Sequence, residues 1–191
     1  MKRTNKQMSI VIKAILVFAA GMLLAVGANA QQANSSATQT ANLNLADAIE
    51  LSFINGGGGT VNLGFNTASE LINGKESMMQ DIRVRSNRKF KVAVSSSTAN
   101  FTYSGTSIVN NIIPVSTGLK VMVTANNTGG YMTLSALLGW LGVNFGNSTT
   151  ILTACDPGGN QTFTVKYKAT PGILAAPGTY TTEVIFTATQ M

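Results

Sequence analysis

Between residue 42 and the C-terminus, apolar residues recur at every second position in short runs, each closed by glycine, asparagine, serine or proline. Leu119, Val121 and Val123 alternate with Lys120, Met122 and Thr124. Phe163, Val165 and Tyr167 alternate with Thr164, Lys166 and Lys168, and Tyr180, Val184, Phe186 and Ala188 share one parity near the end. A period of two places such residues on one face of a strand and their neighbours on the other. About eight or nine such runs, with almost no sustained helical spacing, predict an all-β fold, a single antiparallel β-sandwich; the Cys, Trp, Cys spacing of the immunoglobulin hallmark is missing, so only the general architecture follows. Most runs are shorter than the ~9 to 11 residues that a strand needs to cross a bilayer, which argues against a transmembrane barrel.

Read along the chain, the expected strands fall at residues 42–53, 61–65, 82–94 as a hairpin, 101–104, 112–115, 119–124, 151–154, 161–169 and 179–189. Four glycines, residues 56–59, separate the first two, and residues 66–80 read as a long loop with one helical turn. Residues 131–145 are the least strand-like stretch. There Leu134, Leu137, Leu138 and Leu141 stand at helical spacing around Trp140, which predicts a short helix capping the core or else an exposed apolar patch.

Ahead of these runs lies a segment of another kind. Lys2, Arg3 and Lys6 precede an apolar run from Ala14 to Val26, and Ala28-Asn29-Ala30 follows it. This is the pattern of a secretory signal peptide with an A-x-A cleavage site. The chain then divides into a signal peptide at residues 1–30, a flexible polar arm at 31–41 and the sandwich domain at 42–191. No second apolar run of that kind follows, so the expected product has no transmembrane segment and is secreted, periplasmic or held at the cell surface.

Cleavage changes the electrostatics. Four of the 13 basic residues leave with the leader, and nine remain against seven acids. A net charge of about +2 is no footprint for nucleic acid. Histidine is absent, which removes Ser-His-Asp and Cys-His nucleophiles, imidazole acid–base chemistry and His-bound zinc. Asp47 and Glu50 differ by an odd number of positions, so on a strand they point to opposite faces and make no catalytic pair. Asp156-Pro157-Gly158-Gly159-Asn160 reads as a turn, one carboxylate being far too few for a calcium loop. The glycine run lacks the Lys-Ser/Thr ending of a phosphate loop. The expectation is a non-enzymatic protein with no catalytic, cofactor or metal residues. Cys155, the one cysteine, follows Ile151, Leu152 and Thr153 and reads as core filling.

Two stretches carry a family likeness. Pro177-Gly178-Thr179-Tyr180 followed by TTEVIFTAT resembles the closing strand of secreted pilin-like sandwiches, including the spore coat protein U-like group. Residues Ile82 to Val94, IRVRSNRKFKVAV, resemble the strand, Ser-Asn, aromatic, strand segment of related exported proteins. The resemblance implies a non-enzymatic subunit that pairs with its neighbours by strand donation.

Within the expected hairpin, Val84 pairs with Phe90, Arg85 with Lys89 and Arg83 with Lys91 around Ser86-Asn87-Arg88. That register keeps Ile82, Val84, Phe90, Val92 and Val94 inward. It puts Arg83, Arg85, Lys89 and Lys91 on one outward face with Arg88 at the tip, a candidate contact for an anionic partner. Two functions stay open at this point. The first is a structural or adhesive subunit of a bacterial envelope or surface appendage, meeting other subunits or itself through edge strands. The second is a binding module for an anionic surface polysaccharide or lipid headgroup through the basic hairpin. Asp81, Glu70 and Glu76 lie close enough in sequence to neutralise that face instead.

Overall fold

The computed structural model describes residues 36–54 and 59–191. The expected signal peptide, the first residues of the arm and glycines 56–58 lie outside the described residues. Residues 45–191 form one compact unit. Residues 36–44 have neither helix nor strand and are exposed.

The elements run β1 (Ile49–Ile54), α1 (Ala68–Asn73), β2 (Lys75–Glu76), β3 (Gln80–Ser86), β4 (Phe90–Ser96) and β5 (Thr102–Ser104). Then come α2 (Val115–Gly118), β6 (Leu119–Asn127), β7 (Tyr131–Met132), α3 (Leu134–Leu137) and β8 (Leu141–Gly142). The chain closes with β9 (Thr149–Cys155), β10 (Gly158–Ala169), β11 (Thr179–Thr181) and β12 (Val184–Gln190). Antiparallel pairing orders one sheet β1-β3-β10-β6-β8, with β2 also on β10, and a second sheet β12-β4-β9-β7. β5 and β11 make a separate two-stranded ribbon. The all-β antiparallel expectation holds.

The alternating residues behave as their period dictates. Ile82 and Val84 of β3, Phe163, Val165 and Tyr167 of β10, and Leu119, Val121 and Val123 of β6 line the inner face of the first sheet. Phe90, Val92 and Val94 of β4, with Ile151, Leu152 and Cys155 of β9, line that of the second, and the two faces share one core. The ring of Phe186 in β12 stands 6.1 Å from both Phe53 in β1 and Phe163 in β10, so aromatic contacts join the sheets where β1 and β12 are edge strands.

β9 departs from strict alternation. Its register against β4 shifts twice, and Ala154 takes a left-handed conformation with φ 53°. Extra residues re-aim the strand, so Ile151 and Leu152, adjacent in sequence, are both fully buried.

Several expectations are corrected. Residues 82–94 are not a hairpin: β3 pairs with β1 and β10, β4 with β12 and β9, and residues 87–89 carry the chain from one sheet to the other. The inward residues are those expected, but they face each other across the core rather than lying side by side. Residues 61–65 keep alternating burial, yet they join no ladder. Pro114 ends the expected strand at 112–115, and Val115 begins α2. The expected closing strand breaks into β11 and β12, which pair in different sheets.

Candidate functional site

The five basic residues expected to form one face are divided by the crossing between the sheets. Arg83 and Arg85 lie on the outer face of the first sheet, where Arg83 stands opposite Ser52 on one side and Thr162 on the other. Lys91 lies on the outer face of the second sheet, opposite Thr189. Arg88 and Lys89 sit in the crossing itself.

Three of the five meet carboxylates from distant parts of the chain. Arg85 Nη1 is 3.2 Å from Glu50 Oε2 and Arg88 Nη1 is 2.8 Å from Asp47 Oδ2. Lys89 Nζ is 3.2 Å from Asp156 Oδ1. All three pairs are well exposed, where such bridges contribute little stability, about 0–1 kcal/mol each. Their consequence is electrostatic, since they neutralise the charge that an anionic partner would read. Arg83 and Lys91 make no ion pair among the described residues, and Arg83 Nε is buried without a hydrogen-bond partner there.

Hydrogen bonding converges around the crossing. Asn87 donates from Nδ2 to Ala46 O at 2.9 Å, while its Oδ1 accepts from Ala48 N at 3.0 Å. Gln190 Nε2 reaches Ala48 O at 2.9 Å, Asn87 Oδ1 at 3.0 Å and Ser86 Oγ at 3.2 Å. Met191 N donates to Lys89 O at 2.8 Å, and Arg88 Nη2 to Met191 O at 3.0 Å. The entry to β1, the β3–β4 crossing and the C-terminus are thereby clasped at one end of the sheets. Sequence reasoning singled out Arg88 and Lys89 here but missed Asn87 and Gln190, whose amides make the clasp.

Elsewhere the sheets carry a buried thiol and exposed apolar groups. Cys155 is fully buried and accepts a hydrogen bond from Thr128 Oγ1 at 3.1 Å. Burial pushes its thiol pKa up, against the opposing effect of that hydrogen bond. α3 resolves the alternatives for residues 131–145. Thr133 caps it by accepting from Ala136 N at 3.4 Å, Ala136 enters the core, and Leu134, Leu137 and Leu138 point to solvent. Those three leucines are therefore exposed, whereas Leu141, the fourth at that spacing, lies in β8 and packs against the core.

On the outer face of the first sheet, Lys120 of β6 stands directly opposite Lys168 of β10, with Glu76 opposite Lys168 on its other side. Glu76 pairs instead with Lys166 at 3.4 Å. A scan against protein-family models and a search of curated proteins find no match to this chain.

Proposed function

We propose that the protein is an exported, non-enzymatic structural or adhesive subunit of a bacterial cell envelope or surface appendage. In this reading its two sheets make a β-sandwich of the pilin-like kind. It meets other subunits, or further copies of itself, along the open edges of its sheets.

The observation that carries the reading is the placement of β1. It is an edge strand built from the segment that follows the expected arm, and it pairs with β3 over Ile49–Ile54 alone. Ahead of it, beyond Asp47, Leu43 and Leu45 stand on the same parity as Leu51 and Phe53 and are 79% and 83% exposed. A segment with exposed apolar residues ahead of its own edge strand is suited to an unpaired edge elsewhere, because edges recruit partners through free backbone groups.

Deleting residues 31–53 tests this. The truncated chain is expected to fold poorly alone and to be rescued by a peptide covering 42–54. A truncated monomer as stable as the exported parent would sink strand donation.

A further inference from the structure

The β4–β12 pair does not stop where the sheets end. Beyond Ser96 and Val184 the same two segments stay in contact through Ser97 N to Glu183 O at 3.1 Å and the Thr98 and Thr182 hydroxyls at 3.2 Å. They then pair again as β5 and β11. This ribbon extends past the second sheet and carries two loops, residues 105–112 and 171–178.

The loops are built as one unit. Ala176 N donates to Asn110 O at 2.9 Å, with Asn110 held in the left-handed region at φ 57°. Tyr180 Oη donates to Ala176 O at 2.9 Å, and Tyr103 Oη donates to Pro177 O at 2.9 Å while accepting from Ser107 N at 3.1 Å. The two tyrosine rings lie 5.0 Å apart at the base. Such loops expose polar tips as a rule, yet these expose aliphatic ones: Ile108 at 91%, Leu174 at 76%, with Val109, Ile112 and Ile173 beside them in sequence.

The surrounding charge pattern identifies what such a tip would touch. No charged residue occurs between Lys91 and Lys120 or between Lys168 and Glu183, so the ribbon and both loops carry no formal charge. At their base, Thr170 N donates to Gly118 O at 2.9 Å, two residues from the Lys120–Lys168 pair. Neither lysine makes an ion pair among the described residues. Five aliphatic side chains on two short loops are poor material for the ~800 Å² per partner that a stable protein interface buries. Uncharged aliphatic loops with Lys120 and Lys168 at their base match the chemistry of a bilayer with anionic headgroups, the nearby acids being Glu76 opposite Lys168 and Glu183 at the neck of the ribbon.

We infer that the β5–β11 ribbon is a docking tip for an anionic lipid surface, its aliphatic side chains entering the acyl boundary and Lys120 and Lys168 meeting headgroup phosphates. The surface is separate from the five basic residues of the β3–β4 region, and the inference holds whether or not the protein assembles through its edges.

The test uses the exported protein, its mass checked for leader removal, sedimented with vesicles of phosphatidylcholine with or without phosphatidylglycerol. The parent is expected to partition to the anionic vesicles at low salt. The double variant Ile108→Asp/Leu174→Asp, which touches only exposed positions, is expected to bind at least about ten-fold more weakly with an unchanged melting curve. Lys120→Glu/Lys168→Glu is expected to lose at least about thirty-fold on anionic vesicles. The inference is overturned if the parent ignores both vesicle types, or if the loop variant binds as the parent does. It is equally overturned if sedimentation velocity shows a parent dimer that Ile108→Asp dissolves, which would assign the tip to a second copy.

Discussion

Gln190 Nε2 lies 2.9 Å from the carbonyl oxygen of Ala48, so β12 holds the residue that leads into β1. The same amide reaches Asn87 and Ser86, which places one side chain at the meeting point of three segments far apart in sequence. Gln190→Ala is expected to lower unfolding free energy by about 1–2 kcal/mol, the net value of one or two hydrogen bonds at a partly exposed site. Gln190→Glu should cost more, because a carboxylate would face two oxygen acceptors. Urea unfolding reads both; equal midpoints for parent and variants would show that the clasp adds no stability.

Ser77 occupies the gap between β2 and β3 and stands in for the ladder there. Its amide donates to Tyr167 O at 2.9 Å, and its hydroxyl accepts from Tyr167 N at 3.0 Å. Ser77→Ala leaves the Tyr167 amide buried without that acceptor, for an expected loss of about 1–3 kcal/mol. Amide exchange of Tyr167 is the local readout, and protection equal to the parent's would contradict the assignment.

Cys155 gives a pH prediction with a definite sign. Burial raises its thiol pKa from the ordinary 9.0 in the folded protein, and burial also raises that of Tyr167 from 10.0. Each folded group holds its proton where the unfolded chain has begun to lose it, so stability is full below about pH 9 and falls as pH rises beyond it. Cys155→Ala should make that alkaline decline shallower, since one of the groups whose pKa folding raises, Cys155, Tyr167 and Tyr180, is gone. In the parent at neutral pH, a thiol reagent should label Cys155 only after denaturation. Rapid labelling of the native monomer would contradict the buried placement.

Burial was far more legible in the sequence than pairing. Ile82, Val84, Phe90, Val92 and Val94 are all inward, as their parity requires. Parity says which side of a strand is covered but not which sheet the strand joins. A hairpin and a crossing between facing sheets bury the same five residues, so the pattern could not choose between them. The cations suffered from the same blindness, because their partners are remote: Arg88 meets Asp47 and Arg85 meets Glu50 only once β1 lies along β3. At α3 the helical spacing was readable and its direction was not. Ala136 turns inward while Leu134, Leu137 and Leu138 stay exposed, a choice that depends on the strands beneath rather than on the helical spacing.

The Lys120–Lys168 pair supplies a test of the outer face that needs no ligand. Like charges directly opposite on neighbouring strands destabilise a sheet, and opposite charges there contribute roughly 0.2–1 kcal/mol. Lys168 has Glu76 on its other side, and Glu76 bonds to Lys166, so Glu76 offsets the repulsion from Lys120 only in part. Lys120→Glu turns that cross-strand contact attractive and is expected to raise unfolding free energy at low salt by up to about 1 kcal/mol. In molar salt, where the screening length falls to about 3 Å, the gain should largely vanish. Lys120→Met, which removes the repulsion without adding an attraction, should fall between parent and glutamate variant. A fall in stability for Lys120→Glu at low salt, or a gain that salt leaves untouched, would mean that the two ammonium groups do not face each other across β6 and β10.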